Sequence, residues 1–295
     1  MVVGAVGDIV DAHTHIFAPD VVRGRAAYVN RDYWFEQLFV NSRSRLVTGE
    51  DLIFSMDAAG IAAALLCGFP WRNLDLCREH NNYMGEIAAK SNGRLAWLAI
   101  VPPQGGAAPA QEAERCFKLG ASGIGECNAD AQGFSLTDSS SCASVVEVCI
   151  AWNRPLMLHA SEPVGHVYLG KGRATPDRVL SFIMAFPSLR VVLAHWGGGL
   201  PFYELMPEVA AATSNVVYDT AATTYLYQSR IFRHGVDVIG PDRILFGSDF
   251  PVLRQDRLLG KVRSSGLTGF ELNKVLSANA RRVYGWPLLI SEPTL

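Results

Sequence analysis

Eight short apolar runs recur along the chain, and each ends in a polar or small residue. Valine, isoleucine, leucine and alanine fill these runs without strict polar alternation, which is typical of strands buried on both faces of a parallel sheet. The runs cover residues 8–13, 62–69, 95–103, 122–127, 155–160, 190–198, 215–221 and 243–251. We therefore predict eight strands that pair in parallel.

Stretches with the apolar spacing of helices follow the predicted strands. They cover residues 49–60, 81–92, 108–120, 141–153, 175–186, 203–214, 225–240 and 269–285. Eight strands alternating with eight helices, without a break in composition, predict an α/β fold with one (β/α)8 TIM barrel over residues 1–295. A doubly wound open sheet is the alternative. That fold normally carries a glycine-rich loop after its first strand, whereas this chain has "DAHTHIF" there.

The connection after the first strand, from Phe17 to about Thr48, is far longer than the usual few residues and is dense in aromatic side chains and arginines. It is either a packed surface excursion, such as an oligomer contact, or a cap over the mouth of the barrel. Because long loops in barrels are disproportionately functional, we predict that the stretch around Tyr33–Phe35 forms part of a pocket wall.

Composition narrows the range of partners. The 295 residues are 49% hydrophobic and carry a formal net charge of −2, with no lysine or arginine run that could follow a phosphate backbone. No apolar run approaches the roughly 20 residues of a membrane span. The six cysteines form no C-x-x-C pair and are interpreted as reduced. We expect a cytoplasmic protein with a small-molecule ligand and without nucleic-acid or membrane partners; a homodimer remains open.

Side chains of metal-binding type stand at the ends of five predicted strands. In an extended strand, residues two apart point to the same face, so His13 and His15 can reach one ion. The carboxyl ends of barrel strands meet on one face, where active sites are built. The residues at these ends are His13, His15, Glu126, His159, His195 and Asp249. Imidazole and carboxylate ligands favour zinc, with manganese or iron as alternatives, and one or two divalent ions.

Six motifs run in order along nearly the whole chain: "DAHTHIF", "GIGEC", "LMLHAS", "VVLAHWGG", "ILFGSDFP" and "LSANARRVYGW". In this combination the chain resembles the amidohydrolase superfamily, specifically the amidohydrolase-2 branch, which includes the aminocarboxymuconate semialdehyde decarboxylase group. The resemblance implies that the core metal ligands are His13, His15, His159 and Asp249. It also implies that His195 faces the substrate as an acid/base or electrophilic residue, or binds a second metal.

The chain departs from many of these relatives at the end of the fourth strand. They carry a lysine there, carboxylated to bridge two metals, whereas this chain has Glu126, and the nearest lysine, Lys118, lies in the preceding helix. Either Glu126 bridges two metals or the site holds one metal. As a third interpretation, Glu126 orients a histidine without binding metal.

Two reactions fit this ligand set. A metal-activated water would attack an ester, lactone or amide of a small carboxylate-bearing molecule, with Asp249 and His195 as the catalytic residues; this metal-dependent hydrolysis is our main interpretation. The alternative is non-oxidative, metal-dependent decarboxylation of an aromatic or unsaturated acid. A non-catalytic metal-binding barrel is a third interpretation.

Aromatic and basic residues in the loops near the predicted site favour a flat, anionic substrate. The predicted substrate-binding residues are Tyr33, Trp34, Trp71, Arg72, His166 and Trp196.

Overall fold

The computed structural model describes residues 8–41 and 43–286. Eight short strands lie within this range, and each overlaps one of the eight apolar runs, so the strand prediction is confirmed. They are β1 (Val10–Thr14), β2 (Ala63–Leu66), β3 (Leu95–Trp97), β4 (Ile124–Cys127), β5 (Leu156–Leu158), β6 (Val191–Leu193), β7 (Val216–Asp219) and β8 (Ile244–Leu245).

The strands form a closed ring. Neighbours pair in parallel and in chain order from β1 to β3 and from β4 to β8. Two further parallel bridges, Thr14 with Phe250 and Ala99 with Ile124, join these two groups on both sides. Closure leaves no open sheet of the doubly wound type, and the predicted (β/α)8 barrel is confirmed.

Helices surround the barrel and occupy its loops. The α-helices are α1 (Pro19–Arg23), α2 (Arg25–Val29), α3 (Tyr33–Phe39), α4 (Gly49–Ala59), α5 (Leu74–Lys90), α6 (Ala107–Lys118), α7 (Ala129–Gln132), α8 (Ala143–Ala151), α9 (Pro176–Ala185), α10 (Pro207–Ala212), α11 (Thr223–Leu226), α12 (Ile231–Ile239), α13 (Gln255–Arg263), α14 (Gly269–Asn273) and α15 (Asn279–Tyr284). Turns of 3₁₀-helix cover Ser139–Cys142 and Pro241–Arg243, and a π-helix covers Lys274–Ala278. The segment His195–Leu205 also contains 3₁₀ turns, but its residues 196–199 have a positive φ and are not helical. Among the described residues, no helix is both long and apolar enough to cross a membrane.

The barrel interior explains why the strands lack visible alternation. Side chains that point inward, such as Val10, Ala12 and Leu65, fill the centre, while the alternate positions pack outward against the helices. Both sets are apolar, so the two-residue period is hidden. The last helix, α15, contributes Val283 and Tyr284 to the same inner cluster.

The predicted helices differ from the observed ones in several places. α5 begins at Leu74, seven residues before the predicted start at 81, because the Asn73 side chain accepts hydrogen bonds from two backbone N–H groups of the first turn. Helix α13, which was not predicted, follows β8 and buries Leu258, Leu259 and Val262. The predicted helix over 269–285 is a further segment, split into α14, the π-helix and α15.

The long connection after β1 folds into α1, α2 and α3. The Asp32 side chain caps α3 by accepting hydrogen bonds from the backbone N–H groups of Trp34 and Phe35, both at 3.0 Å. Its other oxygen accepts a hydrogen bond from the backbone N–H of Arg72, at 3.0 Å, in the loop after β2. Phe35 stacks on Trp71 with ring centroids 5.1 Å apart. The segment is therefore anchored at the carboxyl ends of β1 and β2, which is where a cap over the mouth belongs.

Candidate metal centre and its cavity

Four side chains from three strand ends meet at the mouth of the barrel, and we call them the four-residue cluster: His13, His15, Glu126 and Asp249. The Nε2 atoms of His13 and His15 are 3.0 Å apart. Glu126 Oε2 lies 3.5 and 3.6 Å from these two nitrogens. Asp249 Oδ1 lies 3.8 Å from the first and 3.4 Å from the second.

The hydrogen bonds behind the two imidazoles set their tautomers. Nδ1 of His13 lies 2.7 Å from Oδ2 of Asp219, and Nδ1 of His15 lies 3.0 Å from the carbonyl oxygen of Cys67. Both partners only accept hydrogen bonds, so each Nδ1 carries a proton and donates it. In the neutral rings, the Nε2 lone pairs therefore face each other and the two carboxylates.

This donor set fits a divalent cation. When both rings are neutral, their two Nε2 lone pairs, 3.0 Å apart, face the oxygens of Glu126 and Asp249, each within 3.4–3.8 Å of both nitrogens, and a positive charge between these atoms stabilises the arrangement. Ligand atoms bound at about 2.1 Å to one ion are themselves spaced by roughly 3 to 3.5 Å. His13, His15 and Asp249 form a group whose atoms all lie within 4.8 Å of one another.

His159 and His195 approach the cluster from the other side of Glu126. Oε1 of Glu126 lies 2.9 Å from Nδ1 of His159 and 3.2 Å from Nε2 of His195. The second nitrogen of His159 lies 3.2 Å from the Ser161 hydroxyl. Glu126, His159 and His195 thus form a second group of potential metal ligands, and the assignment of His159 as a core ligand remains a prediction.

His195 is surrounded by hydrogen-bond acceptors. Its Nε2 faces Glu126, and its Nδ1 lies 3.3 Å from the carbonyl oxygen of Ala221. Burial by itself would lower the pKa of His195, but the hydrogen bond to Glu126 and the charges of Glu126 and Asp249 raise this pKa to about 9. In the structure without metal, this raised pKa favours the protonated ring, in which both nitrogens donate.

Asp249 is held as an anion. Burial by itself would raise its pKa, but the contact with His15 and the charges of His13 and His195 keep this pKa below the usual value. Its backbone N–H donates to the carbonyl oxygen of His13 at 2.9 Å. The neighbouring Ser248 donates from its N–H and its hydroxyl to the buried carboxylate of Asp11, at 2.8 and 2.6 Å. Asp11 thus joins the end of β1 to the turn that presents Asp249.

Sequence reasoning missed Asp219, although it ends β7 and the strand-end rule that selected the other residues would have found it. This fully buried carboxylate accepts three hydrogen bonds: from Nδ1–H of His13, from the backbone N–H of His195 at 3.0 Å and from that of Ala221 at 2.9 Å. Through these bonds, one side chain orients both a residue of the four-residue cluster and the backbone that carries His195.

We expect Asp219→Asn to weaken divalent-metal binding by about 10- to 100-fold, the usual cost of removing a group that orients a ligand histidine. The asparagine side chain accepts hydrogen bonds only through its amide oxygen, so at least one of the three N–H groups that Asp219 binds loses its acceptor. Metal titration of the apoprotein measures the effect. Asp20→Asn, at an exposed position, is the control, and equal affinities for the two variants would contradict this role.

The cluster lies in a cavity of about 500 Å³, within the range for small-molecule sites. Its wall is largely aromatic and aliphatic, and most of one side comes from the connection after β1. The lining includes Phe17, Trp34, Leu38, Phe39, Phe69, Pro70, Tyr168, Leu169, Tyr225 and Leu226, besides His15, Glu126, His159, His195 and Asp249. The segment around Tyr33–Phe35 therefore contributes to the pocket wall, through Trp34.

Most of the predicted substrate-binding residues lie outside the cavity wall. Trp34 lines the cavity. Trp71 and Trp196 do not, because both are buried in the core, where Trp196 donates its indole N–H to the Thr223 hydroxyl at 2.9 Å. At these two positions, packing of the indole ring in the apolar core determines where the side chain points.

Three further predicted residues lie outside the cavity wall on the exposed surface: Tyr33, Arg72 and His166. Tyr33 lies in the first turn of α3, and its side chain points to solvent while Trp34 beside it points inward. The His166 ring instead packs edge-on against Tyr225, with centroids 5.0 Å apart. Sequence position beside a strand end did not reveal side-chain direction.

Known proteins with similar sequences and structures include several decarboxylases. A gamma-resorcylate decarboxylase from Polaromonas sp. is 24% identical over 278 residues, covering 80% of this chain and 83% of that protein. A 5-carboxyvanillate decarboxylase from Sphingomonas paucimobilis has a TM-score of 0.77 at 20% identity, over 95% of this chain and 99% of the other. Its counterpart from Novosphingobium aromaticivorans, solved with manganese and 4-hydroxy-3-methoxy-5-nitrobenzoic acid, has a TM-score of 0.77 at 19% identity, over 96% of this chain and 97% of that one.

These relatives favour the alternative reaction, decarboxylation, over the hydrolysis that the sequence analysis preferred. The donor set of this chain supports a divalent metal without supporting zinc in particular. A sequence model of the amidohydrolase family matches residues 10–286, which is nearly the whole chain. The chain is therefore an enzyme that belongs to the amidohydrolase family.

Proposed function

We propose that this enzyme is a metal-dependent, non-oxidative decarboxylase of an aromatic hydroxy acid. The observation that carries the proposal is a cavity that combines an aromatic wall with a cation-binding cluster and two ionisable residues at its base, Asp249 and His195. Phe17, Phe69 and Trp34 offer ring faces and edges to a flat substrate. The activities of the relatives point to the same class of reaction.

His13, His15 and Asp249 would hold the metal, with Glu126 within reach and His159 beside it. We infer manganese rather than zinc because a solved relative contains manganese; the imidazole and carboxylate donors of this site suit either ion. When bound, the ion supplies positive charge that attracts and orients the adjacent oxygens of a hydroxy acid.

Asp249 moves the proton in this proposal. As an anion at rest, it accepts the proton of the substrate hydroxyl group and then delivers it to the ring carbon that bears the carboxylate. The bond from that carbon to the carboxylate breaks, carbon dioxide leaves, and the electron pair returns to the ring. The product is a phenolate, which takes a proton from solvent. Atoms and charge balance without an oxidant or a reductant.

His195 stabilises charge during these steps. Its ring lies 3.2 Å from Glu126 and lines the cavity, so in the protonated form its positive charge stabilises a substrate oxygen that becomes negative. Asp219 holds the His195 backbone, and a wall of apolar side chains limits the access of water.

A test of the reaction uses the manganese-loaded enzyme in D₂O with a panel of ortho-hydroxy aromatic acids. We expect carbon dioxide to be released and one deuterium to appear in the product at the position that carried the carboxylate, because the hydroxyl proton exchanges with solvent before transfer. Mass spectrometry and proton NMR of the product measure this, and removal of the metal with a chelator should abolish turnover.

The control panel consists of esters, lactones and amides of the same aromatic acids. If any of these compounds is hydrolysed with a higher kcat/KM than that of every decarboxylation, the hydrolase interpretation is the better one. Stoichiometric metal content without turnover of either panel would favour the non-catalytic barrel.

A further inference from the structure

A smaller cavity of about 220 Å³ lies outside the candidate metal centre, and we call it the second cavity. It is formed by α7, by the loop that follows α7 and by the segment that leads into α9. Its lining consists of Ala129, Asp130, Gly133, Phe134, Ser135, Leu136, Arg173 and Arg178. The proposed function makes no use of this cavity.

The lining of the second cavity carries more positive than negative charge. Asp130 is its one acidic residue, and Oδ1 of Asp130 accepts a hydrogen bond from Nε of Arg173 at 2.9 Å. Among the described residues, no carboxylate forms an ion pair with the exposed Arg178. The adjacent Asp177 carboxylate instead accepts a hydrogen bond from the Thr175 hydroxyl at 2.5 Å. Arg178 therefore brings a charge into the cavity that Asp130 does not balance.

A third arginine adds to this charge. The guanidinium of Arg72, in the loop after β2, lies against Gly133 at the end of α7, where a Cβ atom would be only 3.0 Å from Nη2 of Arg72. Gly133 has a φ of +79°, a conformation that favours glycine. No carboxylate forms an ion pair with the Arg72 side chain in the part of the chain that the structure describes. Three guanidinium groups thus lie around the second cavity, and Asp130 pairs with one of them.

A chain of hydrogen bonds joins the second cavity to the candidate metal centre. The Asp130 carboxylate accepts a hydrogen bond from the backbone N–H of Arg173. The N–H of the preceding residue, Gly172, donates to the Ser161 hydroxyl at 3.0 Å, and this hydroxyl lies 3.2 Å from Nε2 of His159. A Cβ atom at position 172 would collide with the Asp130 carboxylate, so glycine permits this close contact. Arg173 is therefore linked to both cavities through its own backbone.

The loop over residues 162–172, which we call the β5 loop, ends at this link. Tyr168, Leu169 and Gly170 of the β5 loop line the first cavity. Val164 and Val167 are 75% and 91% exposed, so little apolar burial stabilises the loop. A ligand that binds at Arg173 can therefore change the order of a segment that forms part of the first cavity's wall.

We propose that the second cavity binds a small oxyanion, a phosphate or a carboxylate group, between Arg173 and Arg178, and that this anion stabilises the β5 loop. Guanidinium groups match oxyanions in shape and charge. Arg173 directly follows the β5 loop, whereas Arg178 lies in the first turn of α9. An anion that contacts both side chains thus joins the loop to the outer layer of helices. This site goes beyond the proposed function and does not depend on which reaction the enzyme catalyses.

Calorimetric titration of the metal-loaded protein with sodium sulfate and with sodium acetate, at a constant ionic strength set with sodium chloride, tests the site. Sulfate represents a phosphate group, acetate represents a carboxylate, and the tighter binder identifies the type of oxyanion. Arg178→Gln should weaken binding by about tenfold or more, the scale of one charge-assisted contact. Arg178→Lys should recover part of the affinity, because it keeps the charge without the planar fork. Arg257→Gln is the matched control, since Arg257 is also exposed, follows an aspartate and lies in the first turn of a helix, α13.

Hydrogen–deuterium exchange tests the effect on the β5 loop. At an anion concentration of about ten times the Kd, the amides of residues 162–172 should exchange up to about tenfold more slowly, because mass action suppresses an opening that releases the anion. Arg257→Gln should show the same protection at that concentration, and Arg178→Gln should show little.

Equal anion affinities of Arg178→Gln and Arg257→Gln would overturn the site, and so would the failure of both anions to bind the unaltered protein. Exchange in the β5 loop that does not respond to a bound anion would overturn the effect on the loop. Both measurements are made without a substrate, so neither result depends on the decarboxylase proposal.

Discussion

Asp249→Asn should lower kcat by about 10²-fold or more, the usual scale for the loss of a positioned proton donor or acceptor. The amide matches the carboxylate in size but neither accepts nor delivers a proton. Asp249 has a φ of +64°, in the left-handed region that asparagine tolerates as readily as aspartate. The variant should therefore keep the turn and retain measurable substrate binding, and steady-state kinetics with a binding assay measure both.

Metal content must be followed in the same variant, because Asp249 also belongs to the candidate ligand group. Assays at saturating manganese, with the bound metal measured by elemental analysis, separate the loss of the proton-transfer group from the loss of the ion. Asp256→Asn, in the exposed first turn of α13, is the matched control. Full turnover of Asp249→Asn at saturating metal would show that another group moves the proton.

His195→Asn should also lower turnover by about 10²-fold, but with the metal content unchanged. The ring that faces Glu126 and the cavity is lost, whereas His13, His15 and Asp249 keep all their mutual contacts. The φ of His195 is +56°, so asparagine again suits the backbone. Kinetics and elemental analysis on one preparation give both quantities.

Two outcomes would assign His195 differently. A fall in metal stoichiometry by one ion would make it a ligand of a second metal, as the group with Glu126 and His159 would permit. Unchanged activity would remove it from the reaction altogether. His234→Asn, at an exposed position of α12, is the matched control.

The fold was predictable because barrel strands are buried on both faces. Eight apolar runs and the helical spacing between them led to the correct barrel, and each observed strand falls on one of the runs. Helix starts were less predictable where a single capping side chain decides them. Asn73 begins α5 in a stretch without a strong apolar period, and the preceding residues gave no sign of it.

The convergence of the candidate metal ligands was predictable for a related reason. Parallel strands bring their carboxyl ends to one face, so a ligand-type residue at a strand end is near every other such residue. His13, His15, Glu126 and Asp249 do converge: the two Nε2 atoms are 3.0 Å apart, and each carboxylate has an oxygen within 3.4–3.8 Å of both nitrogens. Asp219 obeys the same rule and was overlooked because it is a single carboxylate in an otherwise apolar run.

By itself, then, the sequence determined the closed barrel and the set of residues at its mouth, because both follow from periodicity and from the fixed direction of parallel strands. Only the tertiary structure decided which loop side chains face the cavity. Trp34 points into the cavity and Tyr33 points to solvent, although they are neighbours on one helix. Trp71 and Trp196 are buried in the core and do not line the cavity. Loop side chains have no strand period to fix their direction, so packing between distant segments determines where each one points.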